Sequence, residues 1–339
     1  MNDEYFNNVK KQMKLFEETD KLNSNINITD ASTTINNIFQ SFNIQDRISS
    51  NDIEFSNSFL WNKPYIVWDK KLDSNIILRK LKLSEIIFDH YYPKPTETTF
   101  YHFTTYANFI SIIKNQELWL FNLAKRFQEG EFRLFYIDHG ITGYQTNRDY
   151  NGEIMEKSLM KQTFYTSFAK SSTIRLEDEE SLWNSFGEGG LGVRLEFEIN
   201  PKYADFRNVF YKQDGVPKTD LLINKITSEV QSKYNRNFTL SGISKIGGFY
   251  LQGDFDTENE TRLLIKESTD DYKFNFTKHN YGEQGDIKFI KLKLFDNSFA
   301  DFKIKSIQPG NYINDNRIEK LLEQYPLPEK PKIMEKADF

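Results

Sequence analysis

Cysteine is absent from this 339-residue chain, and histidine occurs only four times. The first absence excludes disulfides, thiolate nucleophiles and cysteine-bound zinc, and it fits a reducing compartment. No run approaches the ~18 consecutive apolar residues that cross a bilayer. The opening Met1-Asn2-Asp3-Glu4-Tyr5 lacks the apolar core of a secretory signal. The expectation is a cytoplasmic protein with no membrane partner. An excess of positive charge is missing too: 44 Lys and Arg stand against 49 Asp and Glu, a net charge of -5. That balance argues against capture of nucleic acid by the whole surface and leaves only a local basic groove open. Aromatic bulk is what the chain does have, with 30 Phe and 18 Tyr. That is enough for a sizeable core, and the length suffices for two domains.

Residues 1–95 read as a helical region. Tyr5, Val9, Met13 and Phe16 recur at helical spacing, and after the polar break Asn23-Ser24-Asn25 a second helix carries Ile35, Ile38, Phe39 and Phe42, with Asp30 as its expected cap. A further apolar stretch runs from Ile76 to Phe88 and ends before Pro93 and Pro95. A domain boundary is placed there. Beyond it the pattern is mixed. Strands are expected at Thr163–Phe168, Val193–Ile199, Phe206–Tyr211, Arg262–Ile265 and Ile287–Leu294, and a helix from about Thr219 to Tyr234. Strands come in clusters rather than in βαβ alternation, which favours an α+β fold over a doubly wound parallel sheet. The Pro- and Lys-rich segment after Pro326 reads as a flexible tail, residues 326–339.

Three constellations carry chemistry. In Phe100-Tyr101-His102-Phe103-Thr104-Thr105 a histidine sits near the end of a strand that leads into a helix, whose first-turn N–H groups favour an anion such as a phosphate. The plainer reading of His102 is a satisfied core hydrogen bond. In Tyr165-Thr166-Ser167, alternation turns Tyr165 and Ser167 to one side, where the tyrosine ring can stack on a flat ligand. In Asp254-Phe255-Asp256-Thr257-Glu258-Asn259-Glu260-Thr261-Arg262, an extended chain would align four carboxylates on one face. Glu260 precedes the apolar run Leu263-Leu264-Ile265, and Arg262 is placed to pair with it or with a ligand phosphate. The segment Ser181 to Gly190 reads as a helix stopped by glycine and is structural; it lacks the lysine and hydroxyl of a P-loop.

The order of these features resembles a widespread bacterial family of uncharacterised, often phage-defence-associated proteins. The resemblance rests on Tyr101-His102-Phe103-Thr104, Leu118-Trp119, Phe164–Phe168, Leu182-Trp183 with Gly187, Glu258-Asn259-Glu260-Thr261-Arg262-Leu263 and Ile304–Gly310, and covers about residues 96–325. That family is in turn distantly similar to the His-Tyr-Glu ADP-ribosyltransferases, including DarT-like enzymes. The resemblance implies an ADP-ribosyltransferase-like core of mixed and antiparallel strands with flanking helices. It implies NAD as substrate, no metal, and a macromolecular acceptor, protein or nucleic acid, modified by a toxin or anti-phage effector. Glu260, His102 and Tyr165 become the catalytic set, with Ser167 as the alternative middle residue. His102, Thr104, Thr105, Tyr165, Ser167 and Arg262 become the NAD-binding set. Residues 1–95 are left for regulation or a partner. Two other readings stand beside this one: a metal-dependent nuclease using Asp254, Asp256 and Glu260, and a non-catalytic scaffold of the same fold.

Overall fold

The computed structural model describes residues 27–54, 65–69, 82–125, 131–141, 148, 152–172, 174, 176–212, 221–234, 237–238, 243–253, 258–267, 277–282 and 284–337. The expected helix bearing Tyr5, Val9, Met13 and Phe16 lies outside them, as do Asp254 and Asp256. In chain order the first elements are α1 (Ile28–Ser41), β1 (Ile53–Glu54), β2 (Tyr65–Asp69), α2 (Lys82–Tyr91), β3 (Thr99–Thr104), α3 (Tyr106–Asn115), β4 (Glu117–Asn122), α4 (Glu131–Asp138) and α5 (Met155–Lys161). Then follow β5 (Thr163–Lys170), α6 (Leu176–Phe186), β6 (Val193–Pro201), β7 (Asp205–Asn208), β8 (Phe210–Lys212), α7 (Leu222–Tyr234), β9 (Asn237–Phe238) and α8 (Ile243–Ile246). The last are β10 (Tyr250–Gln252), β11 (Glu260–Lys266), β12 (Lys278–Tyr281), β13 (Gln284–Lys293), β14 (Ala300–Pro309), α9 (Asp315–Gln324) and β15 (Lys332–Ile333). The fold is α+β, with a mainly antiparallel sheet.

The chain divides into two compact units. The first joins residues 1–91 to 135–156 and 214–247; the second joins 92–134, 157–213 and 248–339. A division at residue 95 therefore falls close to the Tyr91/Tyr92 break, but the N-terminal unit also draws on two later segments. It is also not purely helical, because β1, β2 and β9 form a three-stranded sheet within it. Asn27, rather than Asp30, caps α1: its side chain accepts from the backbone N–H groups of Thr29 and Asp30 at 3.0 and 3.2 Å. Asp30 instead accepts from Lys233 Nζ and the Tyr234 hydroxyl at 3.0 and 2.8 Å, tying α1 to α7. Both partners, Lys233 first, hold its carboxyl below the usual range. Ile223, Ile226 and Val230 of α7 are buried, as their helical spacing predicts.

In the second unit the main sheet runs β12-β13-β4-β5-β3-β6-β14-β15, with β11 pairing β5 and β7. In β6, Val193, Leu195, Phe197 and Ile199 alternate with half-buried or exposed residues, so one face meets the core. The core joins these to Phe100, Phe164, Phe168, Leu263, Ile290 and Phe302, and α3 and α9 close it with Phe109, Ile113, Ile318 and Leu322. On the other face, Phe103 meets Trp183 of α6 edge-on at 5.2 Å, in a small cluster with Ala169, Leu182 and Ala337. Gly192 has no room for a side chain, since a Cβ would lie 2.2 Å from the Thr104 carbonyl oxygen. The glycine-rich stretch is thus a close backbone approach against the end of β3.

Between Glu258 and Glu260 the two-residue period does not hold, because Asn259 has φ +46° and the strand starts only at Glu260; a left-handed residue breaks it. A further expectation is corrected. The segment after Pro326 is not a loose tail. There β15 pairs with β14, Met334 N–H donates to Ile307 O at 2.9 Å, and Ala337 N–H to Pro309 O at 3.0 Å. No helix among the described residues is long and apolar enough to cross a membrane.

Candidate functional site

The strand β5 is where the sheet forks. One of its edges pairs with β11 throughout, from Glu260↔Ala169 to Lys266↔Thr163. Its other edge is shared: Lys170 and Ala169 pair with Phe100 and Tyr101 of β3, whereas Tyr165 and Phe164 pair with Phe121 and Asn122 of β4. Between these pairings, residues 166–168 have no strand partner on that edge among the described residues. His102 fills the gap, with its Nδ1 3.0 Å from the Ser167 carbonyl oxygen.

A carbonyl only accepts, so Nδ1 carries the hydrogen. Desolvation holds the imidazole pKa below its ordinary value, opposed in part by the bond to Ser167. The ring is therefore neutral near pH 7 and Nε2 keeps its lone pair. Phe168 and Phe197 pack on the ring with centroids at 5.6 and 6.3 Å.

Strand alternation sends Tyr165, Ser167 and Ala169 to one face, and the register aligns Glu260 and Arg262 with them. His102 starts from the opposite face, since its neighbour Tyr101 is the residue aligned with Ala169. Ser167 joins the two sides: its carbonyl takes His102, and its hydroxyl donates to Glu260 Oε1. His102 and Glu260 thus touch the same residue. The Glu260 carboxylate also receives Arg262, with Nε on Oε1 at 2.7 Å and Nη2 on Oε2 at 3.1 Å. Arg262 Nη1 donates to the Gly248 carbonyl at 2.7 Å, and its guanidinium lies 4.8 Å from the Tyr165 ring centroid. The side chains of Glu260 and Arg262 are only 5% and 2% exposed. A buried, forked ion pair of this kind keeps its charges only through such complete hydrogen bonding.

The remaining expected site residues lie at the end of β3. Thr104 is buried, and Thr105 caps α3 by accepting from Asn108 N–H at 3.1 Å. Both candidates for the middle position flank the ion pair: Ser167 bonds the carboxylate, and Tyr165 lies against the guanidinium. Two contributors had escaped the sequence reading. The Tyr211 hydroxyl accepts from Glu260 N–H at 2.9 Å; burial and the neighbouring Glu260 carboxylate raise its pKa, so it stays protonated. The other is the Gly248 carbonyl. Tyr211 showed only as the end of a strand, and a backbone oxygen has no residue-type signal. Glu258 stands half-buried just before β11. Among the described residues no cluster of three or more His, Asp or Glu side chains is arranged to hold a metal ion.

No family model, curated protein or solved structure matches this chain.

Proposed function

We propose that the second unit is an ADP-ribosyltransferase-like domain that uses NAD to modify a macromolecule, as a toxin or anti-phage effector. The observation that carries the reading is the convergence of His102, Ser167 and Glu260 at the fork beside β5. The reaction breaks the bond between the ribose C1′ and the nicotinamide nitrogen. Nicotinamide leaves as a neutral molecule and the ribose becomes oxocarbenium-like, a transition state that a fixed carboxylate stabilises. The acceptor then bonds to C1′ and loses its proton, so NAD and acceptor yield ADP-ribosylated acceptor, nicotinamide and a proton.

In this scheme Glu260 supplies the negative charge and Ser167 fixes it. His102 offers Nε2 as an acceptor to a ribose hydroxyl. Phosphates lie toward the start of α3, where Thr105 has already satisfied one of the free N–H groups. The nuclease reading is weaker at this carboxylate, because Arg262 already neutralises it through two hydrogen bonds and a divalent cation would have to displace that partner.

The test is nicotinamide release from NAD by the purified full chain without added metal. Glu260→Gln is expected to lower the rate by about 10² or more while NAD still raises the melting temperature, since the charge acts mainly on the transition state. Equal rates in both proteins would remove Glu260 from the chemistry. Binding of NAD with no turnover in any acceptor extract would favour the scaffold, and activity that requires Mg²⁺ would favour the nuclease.

A further inference from the structure

We infer that Arg262 is the positioning residue for the Glu260 carboxylate and holds no nucleotide phosphate; the inference rests on the transferase reading of that carboxylate. A guanidinium has five N–H donors in a fixed fork. Here Nε and Nη2 grip the two carboxylate oxygens and Nη1 grips the Gly248 carbonyl. The three contacts fix the plane of the group, and the Tyr165 ring lies against it. The pair is enclosed, with Arg262 at 2% and Glu260 at 5% side-chain exposure, and the guanidinium directs N–H groups of Nε, Nη1 and Nη2 to protein acceptors rather than to a phosphate.

The pattern also tells the carboxylate oxygens apart. A carboxylate has about four acceptor positions. Oε1 takes the Ser167 hydroxyl and Arg262 Nε, so both of its positions are filled. Among the described residues, Oε2 takes only Arg262 Nη2. The remaining acceptor position is on Oε2, which makes it the oxygen aimed at substrate. Arg262 acts by fixing that aim. Lysine cannot replace it, because one ammonium on a flexible stem cannot hold two oxygens and a distant carbonyl in one plane.

The experiment compares the full-length wild type with Arg262→Lys, Glu260→Gln and the double variant, measuring kcat and KM for nicotinamide release from NAD. Arg262→Lys is expected to lower kcat by about 10- to 100-fold with KM nearly unchanged, the scale of an ångström-sized misplacement. In the Glu260→Gln background the same change should cost nothing further, because a positioning residue acts only through the group it positions. A raised KM with kcat intact, or losses that multiply in the double variant, would show Arg262 acting on the nucleotide and overturn the assignment while leaving the transferase reading in place. Loss of turnover in the wild type itself would overturn both. Should Arg262→Lys fail to fold, the wild type supplies the second measurement. With ¹⁵N-labelled arginine, the Arg262 Nε–H signal should be solvent-protected and unmoved by NAD; movement toward a phosphate-bound position would overturn the inference.

Discussion

His102 commits one ring nitrogen to a backbone carbonyl and is held neutral by desolvation, and this has a signature in pH. Its pKa in the folded chain lies below the unfolded value of about 6.5. Below that value the unfolded state binds more protons, so stability rises with pH there. The contribution is fully present above about pH 6.5 and is lost as pH falls toward the folded pKa. His90, also lowered by burial, adds a slope of the same sign. The comparison is therefore with His102→Asn, which keeps a donor for the Ser167 carbonyl and cannot titrate. Urea midpoints between pH 5 and pH 8 should fall less steeply on acidification in the variant. Identical slopes would mean that His102 protonates without opposing the fold. At this scale the sequence pattern named residues that the fold brings together around Ser167, but not their partners. The Ser167 and Gly248 carbonyls are backbone atoms, which no residue pattern marks. The capping contact of Thr105 was equally hidden, because a capping threonine and a ligand-binding one share the same position before a helix.

The strands and helices were more legible where one face meets the core. The alternation in β6 and the stripe Ile223, Ile226, Val230 in α7 each state their buried side directly. Legibility failed where two polar residues compete for one role, as with Asn27 and Asp30 at the start of α1. It failed again at Asn259, where a single left-handed residue ends an apparent alternation. The expected strand Phe206–Tyr211 is divided between β7 and β8, which pair with β11 and β10 respectively. Composition alone does not show the pairing of the C-terminal segment. Proline and lysine lower the prospects of a helix or a central strand, yet β15 sits beside β14 by parallel pairing, and Ala337 joins Phe103 and Trp183. Truncation after Pro326 is thus expected to lower stability by about 2–4 kcal/mol, from backbone hydrogen bonds near 1 kcal/mol each and lost apolar cover. Chemical denaturation of the truncated protein measures this. An unchanged midpoint would restore the flexible tail.

At the scale of the molecule, the partition into two discontinuous units changes what a deletion can do. A contiguous N-terminal region could be removed cleanly. The first unit, however, contains 135–156 and 214–247 as well as 1–91, so cutting the chain at Tyr91 removes α1 and α2 but leaves their companions. The orphaned α7 would lose Asp30 and Thr34, which hold Lys233 and Tyr234. Leu222, Ile223, Ile226 and Val230 are wholly buried in the intact protein, and each large apolar side chain brought into water costs roughly 1.5–3 kcal/mol. His139 would lose Tyr91, whose hydroxyl lies 3.2 Å from its Nε2 and also accepts from Ile223 N–H at 3.1 Å. A chain beginning at Tyr92 is therefore expected to aggregate. Replacing 135–156 and 214–247 with ~10-residue Gly/Ser linkers in that same chain should recover soluble protein, because the second unit has its own core. Soluble yield and cooperative thermal unfolding of the two chains decide the matter. Cooperative unfolding of the simple deletion would show that the later segments need nothing from residues 1–91. Failure of the linker chain alongside the deletion would show that the second unit cannot fold without the first.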